Sequence, residues 1–395
     1  MVAPLALRNA PRALRLALFT DTYSPQVNGV ARTLERLVAA VEARGGSVRV
    51  ETVDDPDAAA DARVVRWPSA PFWAYPQLRM SAPLRKDVAA GLAKWRPTLV
   101  HSTTPFGIGL AGRAVARHLQ VPFVTSYHTA FGEYLKHYGL SVLDRASWPY
   151  LRWFHNSGRR TFAPSRVVAS QLVTEGFRDL RVWGRGVDRA RFHPRHRSPE
   201  MRAAMGAREN DVVVAYVGRI APEKQVSLAA EAMRAVTARH GHVRFAIAGD
   251  GPDLARCRAL APTNSWFAGS LSGDALSAFY ASADLFIFPS TTETFGNVVL
   301  EAMASGLPVI APDVGATLEL ANRDTAQLFR AGDVVALREA VERLVIDSPR
   351  RDTLRMEGEL VAQARTWDAI WDGLFQEYLD VAGGPYLGAV EYARA

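Results

Sequence analysis

Cysteine is almost absent from this sequence, and long apolar runs are absent altogether. One cysteine, Cys257, stands among 395 residues, so the chain cannot form an internal disulfide or build a zinc site from several thiolates. No apolar stretch approaches the roughly 20 residues that a membrane-spanning helix needs. Residues 1–15 are basic but lack the apolar core and small-residue cleavage site of a secretory signal. These absences exclude a disulfide scaffold and a polytopic membrane protein, and they favour a reducing cytoplasm.

Positive charge is distributed unevenly along the chain. Residues 1–195 carry 28 Lys and Arg against 14 Asp and Glu, a net charge of +14, whereas residues 196–395 carry 19 against 26, a net charge of −7. A basic half joined to an acidic half indicates that the first half meets something anionic. A membrane surface, a nucleic acid and a phosphorylated ligand are all compatible with the charge alone.

Short β-rich apolar runs alternate with helical patterns in both halves, which is typical of parallel α/β sheets. Between the halves, Gly184–Pro199 is rich in Gly, Pro, His and Arg without an apolar period, which predicts a linker. We therefore expect two doubly wound, Rossmann-like domains, residues 1–190 and 191–365, and a helical tail, residues 366–395. The tail carries an apolar stripe at helical spacing, formed by Trp367, Ile370, Trp371, Leu374, Phe375, Tyr378 and Leu379.

The segment from Phe288 to Ala304 carries the strongest chemical signal. A strand ends near Ser290, a loop carries Glu293, and a helix begins after Gly296 with Glu301 in its first turns. Two carboxylates eight residues apart suit hydroxyl pairs on two parts of one extended ligand, and the amides at the helix start attract phosphate between them. A sugar, a diphosphate and a ribose fit this arrangement. The amides concerned belong to Phe295, Gly296, Asn297 and Val298.

This segment resembles the E-x7-E element of the retaining glycosyltransferases of family 4, and the resemblance covers nearly the whole chain. It implies the GT-B fold, with two Rossmann-like domains facing across a cleft and a C-terminal helix crossing back to the first domain. It implies that Glu293 binds the donor sugar and Glu301 the ribose, and that no metal or other cofactor is required. The resemblance is nearest to GDP-mannose-dependent α-mannosyltransferases that act on lipid or glycolipid acceptors.

A second motif follows the predicted strand that ends at Gly218. Arg219 offers a fork of donors and Lys224 a compact charge, both suited to a nucleotide diphosphate, and Gly218 lacks the Cβ that would hold a ligand away from the backbone. The stretch resembles the phosphate clamp of the same family, which implies that both cations stabilise the leaving diphosphate. Three departures from the family pattern place the rim of this site in question: Gln225 stands where glycine is frequent, residues 314–319 lack a glycine pair, and the following Asn322–Arg330 segment is short.

Two segments of the first half resemble the family as well. Residues 21–30 follow the first predicted strand and open a helix, without the G-x-G-x-x-G pattern of a dinucleotide site. The resemblance implies that Gly29, with Asn28 beside it, brings main-chain amides close to the donor phosphate, although a plain helix N-terminus uses the same residues. His128 ends another strand, where open α/β sheets place ligand groups. The resemblance places it close to the donor sugar; a structural histidine is the alternative.

An apolar stripe at helical spacing lies among basic residues between positions 80 and 95. A basic amphipathic helix can lie at an anionic membrane interface, but such a stripe more often faces the protein core. The resemblance favours the membrane, because relatives with lipid acceptors dock through a basic N-terminal domain. The rings of Phe131, Tyr134 and Tyr138 resemble those of lipid-directed mannosyl- and sulfoquinovosyltransferases, and helix packing explains them equally well. The stripe comprises Met80, Leu84, Val88, Leu92 and Trp95.

These observations predict a retaining glycosyltransferase that moves a hexose, mannose from GDP-mannose, to a lipid or glycan hydroxyl. The expected partners are the nucleotide sugar, the acceptor and the cytoplasmic face of a membrane; no nucleic acid is expected, since the basic residues are scattered. Alternatives are a UDP-sugar-dependent glucosyl- or sulfoquinovosyltransferase, a nucleotide-sugar 2-epimerase, a nucleic-acid-binding module and a non-catalytic sensor. The predicted catalytic residues are His128, Arg219, Lys224 and Glu293.

Overall fold

The computed structural model divides into two compact units, each built around its own parallel sheet. None of the helices in the described part of the chain is long and apolar enough to cross a bilayer. As far as they are described, the first unit comprises Met1–Pro164, Ala169–Trp183 and Trp371–Ala395, and the second comprises Ser165–Val168 and Gly184–Ile370. The structure describes residues 14–26, 28–72, 75–81, 83, 85–128 and 141–383.

The first unit contains a seven-stranded parallel sheet in the order β3-β2-β1-β6-β7-β8-β9, and β4 and β5 form a separate antiparallel hairpin. Strand β1 pairs with β2 on one side and with β6 on the other, so the direction of winding changes there. The strands are β1 (Arg15–Phe19), β2 (Ser47–Val53), β3 (Val64–Trp67), β4 (Ala70–Phe72), β5 (Tyr75–Met80), β6 (Leu99–Ser102), β7 (Phe123–Ser126), β8 (Arg160–Ala163) and β9 (Leu180–Val182).

The second unit contains a six-stranded parallel sheet in the order β12-β11-β10-β13-β14-β15. Here β10 is the strand at which the winding reverses, since it pairs with β11 on one side and β13 on the other. Open α/β sheets bind ligands beyond the carboxyl ends of the strands at such a point. The strands are β10 (Val212–Val217), β11 (Val243–Ala248), β12 (Trp266–Gly269), β13 (Leu285–Ile287), β14 (Val309–Pro312) and β15 (Ala326–Phe329).

Amphipathic helices cover both sheets, because fully buried strands need apolar partners on each face. Many are capped by a polar side chain; in the second unit Asp333, for example, accepts the amides of Val335 and Ala336. The described helices are α1 (Gly29–Ala43), α2 (Arg85–Trp95), α3 (Gly107–Leu119), α4 (Ser141–His155), α5 (Arg166–Thr174), α6 (Pro199–Ala204), α7 (Val226–Arg239), α8 (Leu254–Leu260), α9 (Gly273–Ser282), α10 (Asn297–Ala304), α11 (Val334–Ile346), α12 (Ser348–Gln363) and α13 (Trp367–Ala382).

The stripe between positions 80 and 95 faces the core of the first unit, so the membrane interpretation of this stripe is wrong. Val88 and Leu92 of α2 are fully buried in the apolar cluster that contains Phe19 of β1. Met80 lies in β5 rather than in the helix. Removing apolar area from water against the sheet is the stronger driving force for this face. Leu84 and the rings Phe131, Tyr134 and Tyr138 lie outside the described residues.

The tail returns to the first unit, as the predicted fold requires. Trp371, Leu374, Phe375 and Tyr378 of α13 are buried, which confirms the core assignment of this stripe. On the polar side, Glu377 forms an ion pair with Arg160 of β8.

Residues 184–199 form part of the second unit and are not a linker. Val187 and Phe192 are buried in its apolar core, and Val187 pairs with Thr366 in an isolated parallel bridge. Two apolar residues spaced five apart among Gly, Pro and Arg show no strand or helix period, so the sequence pattern concealed their burial.

Two glycines of the turn after β11 support the loop that carries Arg219. Gly249 and Gly251 have positive φ angles of 152° and 155°. A Cβ on Gly249 would lie 1.8 Å from the carbonyl oxygen of Gly218, and one on Gly251 would lie 2.2 Å from that of Ile220. Backbone bonds from Gly218 to Ala248 and from Ile220 to Asp250 join the two loops. This turn is structural, and it holds the Arg219 loop by close backbone contact.

Replacing Gly249 by alanine should lower the free energy of unfolding by at least about 2 kcal/mol, because the added Cβ meets backbone and the φ angle is unfavourable. Urea denaturation of the full chain measures the change. The matched control is Gly241→Ala, where nothing lies within 4 Å of the added carbon; it should change stability by less than about 0.5 kcal/mol. Equal stability of the two variants would contradict the close-contact explanation.

Candidate active site

The carboxyl ends of β10 and β13 bring two predicted site segments together. The chain leaves β10 into Gly218 and Arg219, and it leaves β13 into the loop that carries Glu293. The Lys224 ammonium forms a direct ion pair with the Glu293 carboxylate, and both side chains remain partly exposed. Two residues 69 positions apart in sequence, predicted from separate motifs, thus share one charged contact.

The two segments are also joined by polar contacts of neutral groups. Thr292 Oγ1 donates to the carbonyl oxygen of Glu223 at 3.3 Å, and the Gln225 side-chain amide donates to Thr291 Oγ1 at 3.4 Å. Gln225 adopts a φ of 52°, the left-handed conformation that glycine adopts without strain. The departure from glycine at this position therefore leaves the backbone turn in place and adds a side-chain contact to it.

Arg219 lies beside a buried carboxylate that the sequence reasoning did not select. Its Nη1 is 3.8 Å from Glu223 Oε1, and Glu223 is only 5% exposed. Tyr216, buried in the strand before it, donates its hydroxyl to the Arg219 carbonyl oxygen at 3.0 Å. These contacts orient a guanidinium that stays about one third exposed.

Glu301 lies on α10 and is held by a tyrosine from the neighbouring helix α9. Tyr280 donates its hydroxyl to Glu301 Oε2 at 3.0 Å, and Tyr280 is fully buried. Burial and the adjacent carboxylate raise the pKa of Tyr280 well above its usual value, so the hydroxyl stays protonated and remains a donor. Tyr280 was not among the predicted residues, since a tyrosine at helical spacing is indistinguishable in sequence from ordinary core.

The start of α10 is formed by residues with three different roles. Phe295 is buried in the core, whereas Asn297 is exposed. Gly296, at φ 97°, is the N-cap and has no side chain to bond the first helical amides. A Cβ there would lie 2.7 Å from Thr317 Cγ2. An N-terminus without a side-chain cap favours an anion, because its amides and the helix dipole both present positive charge.

Residues 314–319, where the family pattern was incomplete, form a short helical turn. Gly315 has a φ of 94° and precedes a 3-10 turn at Ala316–Glu319. Glu319 accepts the backbone amide of Arg166 at 2.7 Å and lies 3.7 Å from the Arg365 guanidinium. Gly315 thus occupies the position that requires a positive φ. The Glu319 carboxylate contacts Arg166 and Arg365 and has a structural role.

In the first unit, Asn28 acts as the N-cap of α1. Its Oδ1 accepts the amides of Val30 and Ala31 at 3.0 and 2.9 Å, and its Nδ2 donates to Thr22. The alternative of a plain helix N-terminus thus accounts for the Asn28 side chain. Gly29 is the first residue of α1.

Asp21, at the carboxyl end of β1, is a buried carboxylate that links β1 to α3. Thr104 donates its hydroxyl to one carboxylate oxygen, and the Ile108 amide donates to the other at 3.1 Å. Burial raises the pKa of Asp21 to about 6, although these hydrogen bonds act in the opposite direction. Asp21 begins the 21–30 segment, and its position directly after a predicted strand was the sequence signal for it.

His128 follows β7 and lies in a chain of buried polar groups. Its Nε2 is 2.7 Å from Ser126 Oγ, and Ser126 Oγ is 3.0 Å from His101 Nε2. The Trp183 ring packs edge-on against His128 with the centroids 5.2 Å apart. His128 is 8% exposed.

Within the described part of the chain, no three His, Cys, Asp or Glu side chains converge as metal ligands would.

The raised pKa of Asp21 predicts that its contribution to the free energy of unfolding decreases as the pH rises. The native state holds the proton more tightly than the unfolded chain, so stability relative to Asp21→Asn, which does not titrate, should fall by about 2–3 kcal/mol between pH 4 and pH 7. Denaturant titrations at several pH values measure this difference. The exposed Asp352→Asn change, in α12, should leave the pH dependence as it is in the parent chain; a parallel pH dependence of parent and Asp21→Asn would contradict the assignment.

Two family models match the chain. The model described as Glycosyltransferase Family 4 matches residues 27–191, and the model described as Glycosyl transferases group 1 matches residues 211–347. The first covers much of the β1–β9 unit, and the second covers the β10–β15 sheet with the Arg219, Glu293 and Glu301 segments.

Curated relatives match over most of their length. The GDP-mannose-dependent alpha-mannosyltransferase of Mycolicibacterium smegmatis is 35% identical, over 95% of this chain and 100% of the relative. The protein of that name from Corynebacterium glutamicum is 31% identical, over 94% and 90%. Sulfoquinovosyl transferase SQD2 of Arabidopsis thaliana is 33% identical, over 90% of this chain and 71% of the relative.

Solved structures share the fold at low sequence identity. Sucrose-phosphate synthase from Thermosynechococcus elongatus superposes with a TM-score of 0.73 at 21% identity, covering 93% of this chain and 99% of that one. HepE of Anabaena, solved with UDP and glucose, gives 0.70 at 19% identity, covering 93% and 99%. These likenesses confirm the predicted GT-B class, and with the family models and relatives they show that the chain belongs to the family 4 glycosyltransferases and is a hexosyltransferase.

Proposed function

We propose that this enzyme transfers mannose from GDP-mannose to the hydroxyl of a lipid or glycan acceptor, with retention of the anomeric configuration. The observation that carries the proposal is the group of Arg219, Lys224, Glu293 and Glu301 on the carboxyl side of the second sheet. The mannose assignment draws its support from the relatives named as GDP-mannose-dependent mannosyltransferases, which align over more than nine tenths of the chain.

In this proposal each of the four side chains binds one part of the nucleotide-sugar donor. Arg219 and Lys224 bind the diphosphate, since a guanidinium fork and an ammonium suit phosphate oxygens. Glu301 accepts hydrogen bonds from the ribose hydroxyls, and Tyr280 keeps one of its oxygens in place. Glu293 accepts hydrogen bonds from the donor sugar. The ion pair between Glu293 and Lys224 supports this division, because it brings the residue assigned to the sugar next to one assigned to the diphosphate.

The chemistry is a substitution at the anomeric carbon. The bond from that carbon to the diphosphate oxygen breaks, the bond to the acceptor oxygen forms on the same face, and the acceptor proton passes to the departing phosphate. Negative charge therefore develops on the diphosphate, where Arg219, Lys224 and the uncapped start of α10 stabilise it. These groups supply the positive charge that the step requires, and no metal or other cofactor enters the proposal.

For the first unit we assign His128 to the donor sugar and Gly29 to the donor phosphate. We also propose an acceptor held at the cytoplasmic face of a membrane, with no nucleic-acid partner. Charge supports the membrane proposal: residues 1–195 carry +14, while Arg219 and Lys224, the two cations proposed to bind the diphosphate, lie in the half that carries −7. The excess positive charge is therefore left for an anionic acceptor environment.

A donor panel tests this function. The purified chain is incubated with GDP-mannose, UDP-glucose or UDP-sulfoquinovose, with and without a membrane lipid extract, and lipid-linked sugar and released nucleoside diphosphate are measured. We expect labelled lipid from GDP-mannose only, and only when extract is present. Transfer from a UDP-sugar alone would overturn the mannose assignment, and an epimerised nucleotide sugar formed without extract would overturn the transfer reaction.

Glu293→Ala should lower kcat for transfer by at least about 10²-fold, because the sugar loses a contact at the reacting centre. Circular dichroism should show a retained fold, since the Glu293 side chain is partly exposed. Glu339→Ala, an exposed carboxylate on α11, is the matched control and should keep full turnover. Parental turnover by folded Glu293→Ala would remove this residue from the site.

A further inference from the structure

The C-terminal helix is joined to His128 by a continuous series of hydrogen bonds inside the first unit. Tyr378 of α13 has its hydroxyl 2.7 Å from His101 Nδ1 in β6. His101 Nε2 is 3.0 Å from Ser126 Oγ in β7, and Ser126 Oγ is 2.7 Å from His128 Nε2. The four side chains are all buried. We call this series the Tyr378 relay.

The relay has one direction that satisfies every buried proton. Among the described residues the Tyr378 hydroxyl bonds to His101 only, so Tyr378 must donate its proton to Nδ1 of that ring. His101 then carries its own proton on Nε2 and donates it to Ser126 Oγ. Because Ser126 Oγ accepts from His101, its own hydroxyl proton is directed to His128, and Ser126 donates it to Nε2 of that ring.

The protonation of His101 is consistent with this direction. Burial lowers the pKa of His101 to about 3, so the ring is neutral across the working range of the protein and has one donor and one acceptor nitrogen. The reverse direction would leave the phenol proton of Tyr378 without an acceptor in a fully buried place, which costs more than any one of these bonds contributes.

We propose that Tyr378, through His101 and Ser126, fixes the tautomer and ring orientation of His128, so that α13 is a positioning element of the donor-sugar site. His128 then accepts at Nε2 and carries its proton on Nδ1. The Trp183 ring packs at a steep angle to the imidazole, with the centroids 5.2 Å apart, and restricts the plane of the His128 ring. The use of His128 on the sugar rests on the proposed function; the relay itself does not.

A purely structural role for these groups is a weaker explanation of the same contacts. Buried polar side chains gain little stability over apolar ones, and a network is retained at low cost only if every member is satisfied. Sequence distance adds to this: His101 and Ser126 lie in the neighbouring strands β6 and β7, His128 follows β7, and Tyr378 lies in the tail helix, so residues far apart in the chain meet in one series of bonds.

Nitrogen-15 NMR of the full, ligand-free chain tests the relay directly. Histidine-labelled protein shows which ring nitrogen carries the proton, and a His128→Gln sample identifies the His128 signals. We expect Nδ1–H with an unprotonated Nε2 in the parent chain, and a mixture of tautomers or Nε2–H in Tyr378→Phe and in Ser126→Ala. An Nε2–H tautomer in the parent, or an unchanged signal in Tyr378→Phe, would overturn the relay.

Steady-state kinetics of the same variants test whether the Tyr378 relay contributes to catalysis. Tyr378→Phe should lower kcat by roughly ten-fold while KM for the nucleotide sugar changes less than two-fold, since an orienting partner is lost and no ligand contact is removed. The double variant with Ser126→Ala should be no slower than the slower single variant, because both break one series of bonds. Additive losses would contradict a shared relay.

Val381→Ala is the matched control, because it removes a buried side chain from the same helix without touching the relay. It should lower stability and leave kcat and the His128 tautomer at their parental values. An enzyme inactive with every donor would overturn the proposed function, while the tautomer measurement still decides the relay. An active enzyme whose kcat is unchanged in Tyr378→Phe despite a changed tautomer would overturn the use of the relay in catalysis.

Discussion

The parallel pairing of β10 with both β11 and β13 is the constraint on which the second unit depends. Because all three strands run in one direction, the segments that leave them emerge on one side of the sheet. Arg219 and Lys224 follow β10, and Glu293 follows β13, so residues far apart in sequence come within ion-pair distance. The glycines after β11 complete the arrangement by letting their turn lie directly against the Arg219 loop.

Charged groups in both units are held by specific partners. Lys224 pairs with Glu293, Tyr280 bonds Glu301, and Thr104 bonds Asp21. A carboxylate that has a fixed donor keeps one oxygen in place and leaves its other lone pairs for a ligand, which is the state in which an oriented sugar or ribose hydroxyl binds with least reorganisation. The side chains of Arg219 and Glu293 remain partly exposed, which the ligand-binding roles that we propose for them require.

The tail helix does more than close the apolar core of the first unit. Trp371 and Phe375 bury its apolar face, while Tyr378 on the same face bonds a histidine of the central sheet. Three hydrogen bonds therefore connect α13 to His128. With His128 in its proposed role, α13 helps to position a site residue, although no motif in the sequence of this helix indicates it.

The sequence by itself determined the fold class, the strands that carry the motifs and the residue types of the site. Short apolar runs that alternate with helical patterns predict a parallel sheet in each half, and each unit contains one. Contacts between distant segments required the tertiary structure. The burial of Val187, the core-facing stripe of α2, the Tyr280–Glu301 bond and the Tyr378 relay all depend on which surfaces meet, and hydrophobicity or residue type along one segment holds no information about its partner.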